Sequence, residues 1–224
     1  GDNWEKELII VDNFSTDGTR ELLRKIDQPD TTVIFHESNL GKGASIRTGI
    51  DAMTGDYMII QDADSEYDPA EHVRFCKLAD ETKAAAIFGS RVLGGEIRYQ
   101  YAHAYLGVRF LTTVTNILFG GSLTDVATAT KMVRADVIKS LNLTCSGFDL
   151  DFELPDKIFL SGNEILEIPI SYDPRTYAEG KKIRTSDGIR AMFIMLRDRL
   201  GLSPVLKPSY EKTTARPDSI ENSA

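Results

Sequence analysis

Apolar and polar positions fall into a repeating order along the first part of the chain. Residues 7–11 form a short β-rich run that stops at Asp12 and Asn13. A polar loop of Ser15, Thr16, Asp17, Gly18 and Thr19 follows, and Leu22, Leu23 and Ile26 then recur at helical spacing. Residues 32–36 repeat the pattern as a strand, after which Asn39-Leu40-Gly41-Lys42-Gly43 opens a helix that runs through Ile50 and Met53. The third unit has an apolar run at 57–60, a turn, a helix near 70–80 and a further strand at 84–89. Strands alternating with helices predict an α/β fold: a mainly parallel sheet with helices on both faces. Such sheets bind ligands beyond the carboxyl ends of their strands. Asp12, the turn at 41–43, the Asp62/Asp64 turn and Ser90-Arg91 all fall at that edge.

The pattern changes at 99–119, a long apolar and aromatic stretch with Tyr105, Leu106, Phe110, Leu111, Val114, Ile117 and Leu118 at mixed helical spacings. It is broader than one core-facing stripe requires. A helix buried against the sheet accounts for it, and so does a helix lying in a membrane interface between Arg98 and Arg109; the second is the expectation here. Residues 165–170 predict another strand, followed by a basic loop at 175–182 and an amphipathic helix around 189–200. Residues 203–224, rich in Ser, Pro, Thr and charge, are expected to be a disordered tail behind a single domain at 1–202.

Composition narrows the classes of partner. The chain has 224 residues, enough for one sizeable core. A net charge of −8 argues against nucleic acid as a partner, so any bound phosphate must meet a local basic site. Cys76 and Cys145 show no metal-ligand spacing and fit a reducing, cytoplasmic setting. No apolar run reaches the roughly 18 residues of a membrane span, so membrane contact is expected to be peripheral.

The most telling chemistry is Gln61-Asp62-Ala63-Asp64-Ser65-Glu66-Tyr67-Asp68-Pro69, placed where the 57–60 strand ends. An Asp-x-Asp pair at such a turn can point its oxygens at one hard cation, and Mg²⁺ or Mn²⁺ held that way bridges protein to a substrate diphosphate. An acidic, solvated turn accounts for the same residues. The motif alone does not choose between the two.

Its neighbours carry a resemblance. Residues 11–19, the Asn39-Leu40-Gly41-Lys42-Gly43 turn, residues 61–69, Gly89-Ser90-Arg91, Thr124-Asp125 and Tyr172-x-x-Arg175 through Lys182 together resemble the family-two inverting glycosyltransferases. Within that family, their order is most similar to the branch that includes the dolichol-phosphate mannosyltransferases and other polyprenyl-phosphate glycosyltransferases. The resemblance implies an A-type glycosyltransferase fold, Rossmann-like. It also implies transfer of a sugar from a nucleotide-diphosphate sugar to a polyprenyl phosphate, with Mg²⁺ or Mn²⁺ as cofactor, on the cytoplasmic face of a membrane. Position by position, it puts Asp12 at the donor nucleoside with Asp17 in the same loop, and Lys42 near the nucleotide. Asp62, Asp64 and Glu66 would stand at the metal, and Arg91 at the acceptor phosphate. Asp125, Thr128 and Lys131 would lie beside the reaction centre, with Glu153 at a recurrent acidic position. Arg175, Lys181 and Lys182 would lie in a loop that closes over the diphosphate.

Two departures stand out. Asn13 and Phe14 replace the family's more usual Asp and Gly after Asp12. The family also opens with a strand that this sequence lacks, one that lies mid-sheet beside the strand ending at Asp12, so two interior strand edges are expected to be unpaired. The chain is therefore expected to be a fragment of a longer product. Two other functions fit the residues. One is transfer to a glycan hydroxyl, with Asp125 as the base that such an acceptor needs; the other is a non-catalytic nucleotide-sugar-binding remnant. Asp62 and Asp64 side chains both splayed apart, facing away from any cleft or locked in bridges with arginine would end the first reading.

Overall fold

The structure is a computed structural model that describes residues 4–93, 102–175 and 185–202. Six strands and seven α-helices alternate in it. In chain order they are β1 (Leu8–Asp12), α1 (Thr19–Leu23), β2 (Thr31–Phe35), α2 (Lys42–Ala52), β3 (Tyr57–Ile59), α3 (His72–Thr82) and β4 (Ala86–Ser90). Then come α4 (Ala102–Phe119), β5 (Lys131–Arg134), α5 (Ala135–Ser140), α6 (Leu150–Leu160), β6 (Ile165–Pro169) and α7 (Thr185–Arg199). A 3₁₀ turn at Pro69–Glu71 leads into α3; Asp68 caps it by accepting from the Ala70 amide.

The sheet is in two pieces. β1 and β2 pair in parallel, and a four-stranded sheet has the order β3-β5-β4-β6. Within the second piece β4 and β6 are parallel, and β5 runs against both β3 and β4. The α/β expectation holds, with β5 the exception to a common strand direction. Among the described residues, β1 pairs only with β2 and β3 only with β5, so each has one edge without a strand.

Strand directions explain the rim. Because β4 and β6 are parallel, with Ser90 opposite Pro169, Arg91 and the segment after Pro169 emerge at one edge. Antiparallel β5 starts at that edge, with Lys131 opposite Phe88 and Met132 opposite Ile59. The turn following β3 therefore meets the beginning of β5 there. Residues alternate across the sheet as a pleat requires. On one face Ile87 and Met132 pack with Phe75 of α3; on the other Phe88 and Val133 join Leu154 and Ile158 of α6 and Met195 of α7. Covered on both sides, β4 is buried along its whole length. Each fully buried Phe or Leu side chain here contributes roughly 1.5–3 kcal/mol, which holds the rim on a rigid floor.

β5, α5 and α6 were not anticipated from the sequence pattern. Within the 99–119 stretch, the described part is one helix, α4, whose Leu111, Thr112 and Thr115 face inward, with the Thr115 hydroxyl 3.5 Å from Met195 Sδ of α7. Among the described residues, no helix is long and apolar enough to cross a membrane. Arg98, Lys181, Lys182 and the 203–224 segment lie outside the described residues.

Candidate active site

Alternating charges run beneath the rim. Lys42, the first residue of α2, places Nζ 3.0 Å from Asp62 Oδ2 and 3.5 Å from Asp151 Oδ2. Asp151, on α6, also accepts from Lys131 Nζ at 3.2 Å through Oδ1 and at 2.9 Å through its carbonyl. The row is thus Asp62, Lys42, Asp151, Lys131. Burial raises the pKa of Asp62 against the opposing pull of Lys42. Burial would also raise Asp151, but Lys131 and then Lys42 bring it below the usual carboxylate range. For Lys42, burial works downward, and Asp151 and Asp62 outweigh it and raise the pKa. Lys131 is fully enclosed, and burial lowers its pKa despite Asp151.

The local backbone is shaped to allow this. Gly41 has φ +93°, and a Cβ there would lie 2.3 Å from the Ser146 carbonyl oxygen; one on Gly43 would lie 2.7 Å from that of Cys145. The turn presses directly on the backbone of residues 145–147, where Ser146 accepts from the Ala44 amide at 3.1 Å. Only glycine tolerates that approach.

A second group lies at the ends of β4 and β6. Asp64 Oδ2 accepts from Arg175 Nη2 at 2.6 Å, and Glu66 Oε1 accepts from the Arg175 amide at 3.0 Å and its Nε at 3.3 Å. Tyr172 donates to Glu66 Oε2 at 3.4 Å and packs on Tyr67 with ring centroids 5.2 Å apart. Residues 64–69 and 171–173 line a surface cavity of about 360 Å³. Behind it Arg91 grips Asp125 through two parallel bonds, Nε to Oδ2 at 2.6 Å and Nη2 to Oδ1 at 2.7 Å, and lies 5.1 Å from the Tyr172 ring centre.

The structure brings Lys42, Asp62, Asp64, Glu66 and Arg175 to this rim. Other placements differ. Asp125 is fully buried, and both its oxygens take the Arg91 guanidinium, so it is Arg91's positioning partner and not an accessible base. Arg91 is itself buried in that pair, beneath the rim and not out at an acceptor. Asp12 is buried too and serves its own loop: it accepts from the Ser15 amide at 3.2 Å and meets Arg20 Nε at 3.1 Å. Asp17 is exposed and lies just before α1, accepting from the Thr19 hydroxyl at 2.7 Å and the Thr19 amide at 3.2 Å; these bonds lower its pKa. Glu153 is structural. It accepts from the Thr144 and Cys145 amides and from Lys157 and Arg197, and is fully enclosed. Asp151 escaped the sequence reading, though acids interleaved with Phe148, Leu150, Phe152 and Leu154 were a usable signal of buried, paired carboxylates.

Among the described residues, no three His, Cys, Asp or Glu side chains are gathered as a ready-made metal cage. Asp62 and Asp64 each hold a side-chain cation, and the Arg175 bridge to Asp64 is the geometry that counts against a preformed site. The oxygen chemistry still fits Mg²⁺ or Mn²⁺, since Mg²⁺ takes one or two carboxylates and completes its shell with substrate phosphates and water. Loading the site would require Arg175 to release Asp64.

Comparisons with known proteins identify the family and the fold. The sequence model of glycosyl transferase family 2 matches residues 3–141. The low-salt glycan biosynthesis hexosyltransferase Agl6 of Haloferax volcanii is 26% identical over 85% of this chain and 45% of its own length. An undecaprenyl-phosphate mannosyltransferase of Micrococcus luteus is 25% identical over 88% of each. The undecaprenyl-phosphate 4-deoxy-4-formamido-L-arabinose transferase of Edwardsiella ictaluri is 26% identical over 78% of this chain and 52% of its own length. The chain thus spans about half the length of the first and third of these relatives. Among solved structures, glucosyl-3-phosphoglycerate synthase of Mycobacterium tuberculosis with Mg²⁺ and uridine diphosphate superposes with a TM-score of 0.60 at 19% identity, covering 87% of this chain and 68% of that one. The same enzyme with Mn²⁺, uridine-diphosphate-glucose and phosphoglyceric acid gives 0.56 at 17% identity, over 86% and 68%. These likenesses show a shared A-type glycosyltransferase fold. With more than half its length matched by the family's sequence model, this chain belongs to glycosyl transferase family 2.

Proposed function

We propose that residues 1–202 are the catalytic domain of a metal-dependent, inverting glycosyltransferase that moves a sugar from a nucleotide-diphosphate sugar to a polyprenyl phosphate. The observation that carries this is the convergence of Asp62, Asp64, Glu66, Lys42 and Arg175 on one rim. Two of the relatives above are named for undecaprenyl-phosphate transfer, which supports the acceptor class. Mg²⁺ or Mn²⁺ at Asp62 and Asp64, with Glu66 beside them, would supply neutralisation of the charge that builds on the departing diphosphate.

In this reading the acceptor's phosphate oxygen attacks the anomeric carbon from the face opposite the diphosphate, the new C–O bond forming as the old one breaks. Lys42 and Arg175 would orient the diphosphate as cations. A lipid monophosphate has a second pKa of about 6, by analogy with phosphorylated side chains, and arrives already ionised. It needs no general base, which agrees with Asp125 being locked to Arg91. A hydroxyl acceptor would have to lose a proton to a base, and Asp125 is not accessible for that.

Contact with the cytoplasmic face of a membrane belongs to the same proposal. α4 exposes Leu106, Phe110 and Ile117, and neighbouring α7 exposes Ile189, Phe193 and Leu196, with Leu200 exposed just after it. These outward apolar rows, with exposed Arg109, Arg190 and Arg199 among them, suit an anionic interface. The decisive experiment is transfer of radiolabelled sugar from nucleotide sugars to polyprenyl phosphate by the full-length protein, read in the lipid extract. Labelled lipid that vanishes with Asp62→Ala is the expected result. No labelled lipid with any common donor rejects the reading.

A further inference from the structure

His36 follows β2 on a backbone held from two sides. Its amide donates to the Asp12 carbonyl at 2.9 Å, continuing the β1–β2 pairing, and its carbonyl accepts from Arg20 Nη2 at 3.0 Å. The side chain is buried, and each ring nitrogen meets an oxygen. Nδ1 lies 3.1 Å from Asn13 Oδ1, and Nε2 lies 2.9 Å from Thr48 Oγ1 of α2. The transfer mechanism uses none of these groups.

The neighbours fix which nitrogen carries the proton. Asn13 Oδ1 accepts from the Leu40 amide at 2.8 Å, and Asn13 Nδ2 donates to Asn39 Oδ1 at 2.9 Å, which also accepts from the Gly41 amide at 3.1 Å. Turning either side-chain amide over would set its nitrogen against a backbone N–H. The oxygen facing His36 is therefore an acceptor, and Nδ1 must donate. Nε2 faces a hydroxyl, which serves it in either state: Thr48 donates to a bare Nε2, or accepts from its N–H while donating to the Ala44 carbonyl at 3.1 Å. Burial lowers the pKa of His36 against the opposing pull of Asp12, so the ring is neutral at pH 7 with its proton on Nδ1. Thr48 orients the ring, and Asn13 passes the constraint on.

The constraint ends at the rim. Leu40 and Gly41, whose amides are held, are the two residues before Lys42, and Gly41 is the N-cap of α2. From the other side, Gly41 and Gly43 press on the backbone of residues 145–147. We propose that His36 is a positioning residue: through Asn13 and Asn39 it fixes the turn that aims Lys42 at Asp62 and at the donor's diphosphate. The proposal rests on the diphosphate reading of Lys42 above and deepens it. A long lysine is placed no better than the backbone that carries it. Drift of the turn by about 1 Å would carry Nζ out of its 3.0 Å bond to Asp62, the scale of misplacement that costs binding and rate.

The test is calorimetric titration of the full-length protein with inorganic pyrophosphate in Mn²⁺, for His36 variants alone and combined with Lys42→Ala. His36→Ala should weaken pyrophosphate roughly 5-fold, the worth of about one hydrogen bond. In the Lys42→Ala background it should have no further effect, because the two residues act through one group. His36→Asn, whose amide nitrogen stands where Nδ1 stood, should restore wild-type affinity; His36→Gln, whose amide nitrogen replaces Nε2, should not. If His36→Ala does not fold, Asn39→Ala cuts the same tie at an exposed residue and takes its place with the same expectation. Wild-type affinity in that variant, an equal loss with and without Lys42, or rescue by Gln in place of Asn overturns the positioning role and leaves Lys42 at the diphosphate. A wild-type protein that does not bind pyrophosphate, or a Lys42→Ala protein that binds it as tightly as the wild type, overturns the diphosphate reading and the proposal together.

Discussion

At the strand ends, Asp64 and Glu66 share Arg175 in a setting where all three side chains keep some exposure. Between α6 and α7, Glu153 and Asp198 share Arg197 with both acids enclosed, and Asp156 is buried close by. The two clusters are alike in composition and opposite in consequence. Glu153 satisfies two backbone amides and two cations at once, and its pKa is held at about 2: burial pushes it up, and bonds from Thr144 and Cys145, then Lys157, outweigh that. Nothing there can be exchanged for a ligand without orphaning buried donors. Arg175 can swing into solvent, and its carboxylates can take another cation. What distinguishes a binding site from a buried anchor is room to exchange partners, and charge density does not report it.

Glu153→Ala is the harshest way to break that contrast. Removing the carboxylate strands Arg197, Lys157 and two amides, and should cost about 3–5 kcal/mol in urea unfolding, or abolish folding. Asp64→Ala should cost no more than about 1 kcal/mol in the same measurement, as expected of a pair with solvent access. Equal losses would remove the distinction between anchor and site.

For catalysis the ranking reverses. Asp64→Ala should lower sugar transfer to polyprenyl phosphate about 100-fold, on the order of 2.7 kcal/mol in the barrier. A variant that folds normally and transfers at the wild-type rate would reduce the rim to a solvated acidic turn.

Asp156 sharpens the contrast within the buried cluster. Neither of its carboxyl oxygens has a hydrogen-bond partner among the described residues, and burial, then Asp198 and Glu153, raise its pKa to about 8. Unfolded, the same group titrates near its ordinary 3.8. A carboxyl with a raised folded-state pKa disfavours folding increasingly as pH climbs from about 4 to about 8, where the penalty levels off. Asp156→Asn should therefore match the wild type in stability near pH 4 and exceed it by about 2–4 kcal/mol near pH 8. A difference that does not vary with pH would show that Asp156 is ionised in the fold.

The legible and illegible parts of this molecule divide along the same line. β1, β2, β3 and β4 were visible because each is a short apolar run closed by a polar turn, and the carboxylate turn was visible because its acids lie together in sequence. β5 is only Lys131–Arg134, with a cation at each end, and its pairing to β3 and β4 is set by partners far away in sequence. α6 reads poorly as a helix, with Pro155 inside it and Asp151, Glu153 and Asp156 among its apolar residues. Asp151 and Glu153 are buried because Lys131, Arg197 and the amides at 144–145 meet them, and no local pattern announces partners that distant. Family resemblance had the converse weakness. It put Arg91 at the acceptor phosphate and Asp125 beside the reaction centre, and did not reveal that the two pair with each other.

The finest test concerns Arg175. If its bridge to Asp64 is an exchangeable placeholder, deleting the guanidinium changes folding little, because a pair that keeps contact with solvent is worth less than about 1 kcal/mol. Cation binding should respond in the opposite sense. Asp64 and Glu66 lose their resident positive charge in Arg175→Ala, so Mn²⁺ added without nucleotide should bind several-fold more tightly, on the order of 1 kcal/mol. Sugar transfer should still fall, because Arg175 is also a cation for the diphosphate. Electron paramagnetic resonance of free Mn²⁺ reads the affinity directly, separate from turnover. Unchanged or weaker Mn²⁺ binding would mean that Arg175 holds Asp64 and Glu66 as firmly as Arg197 holds Glu153, and the two clusters would then be anchors of one kind.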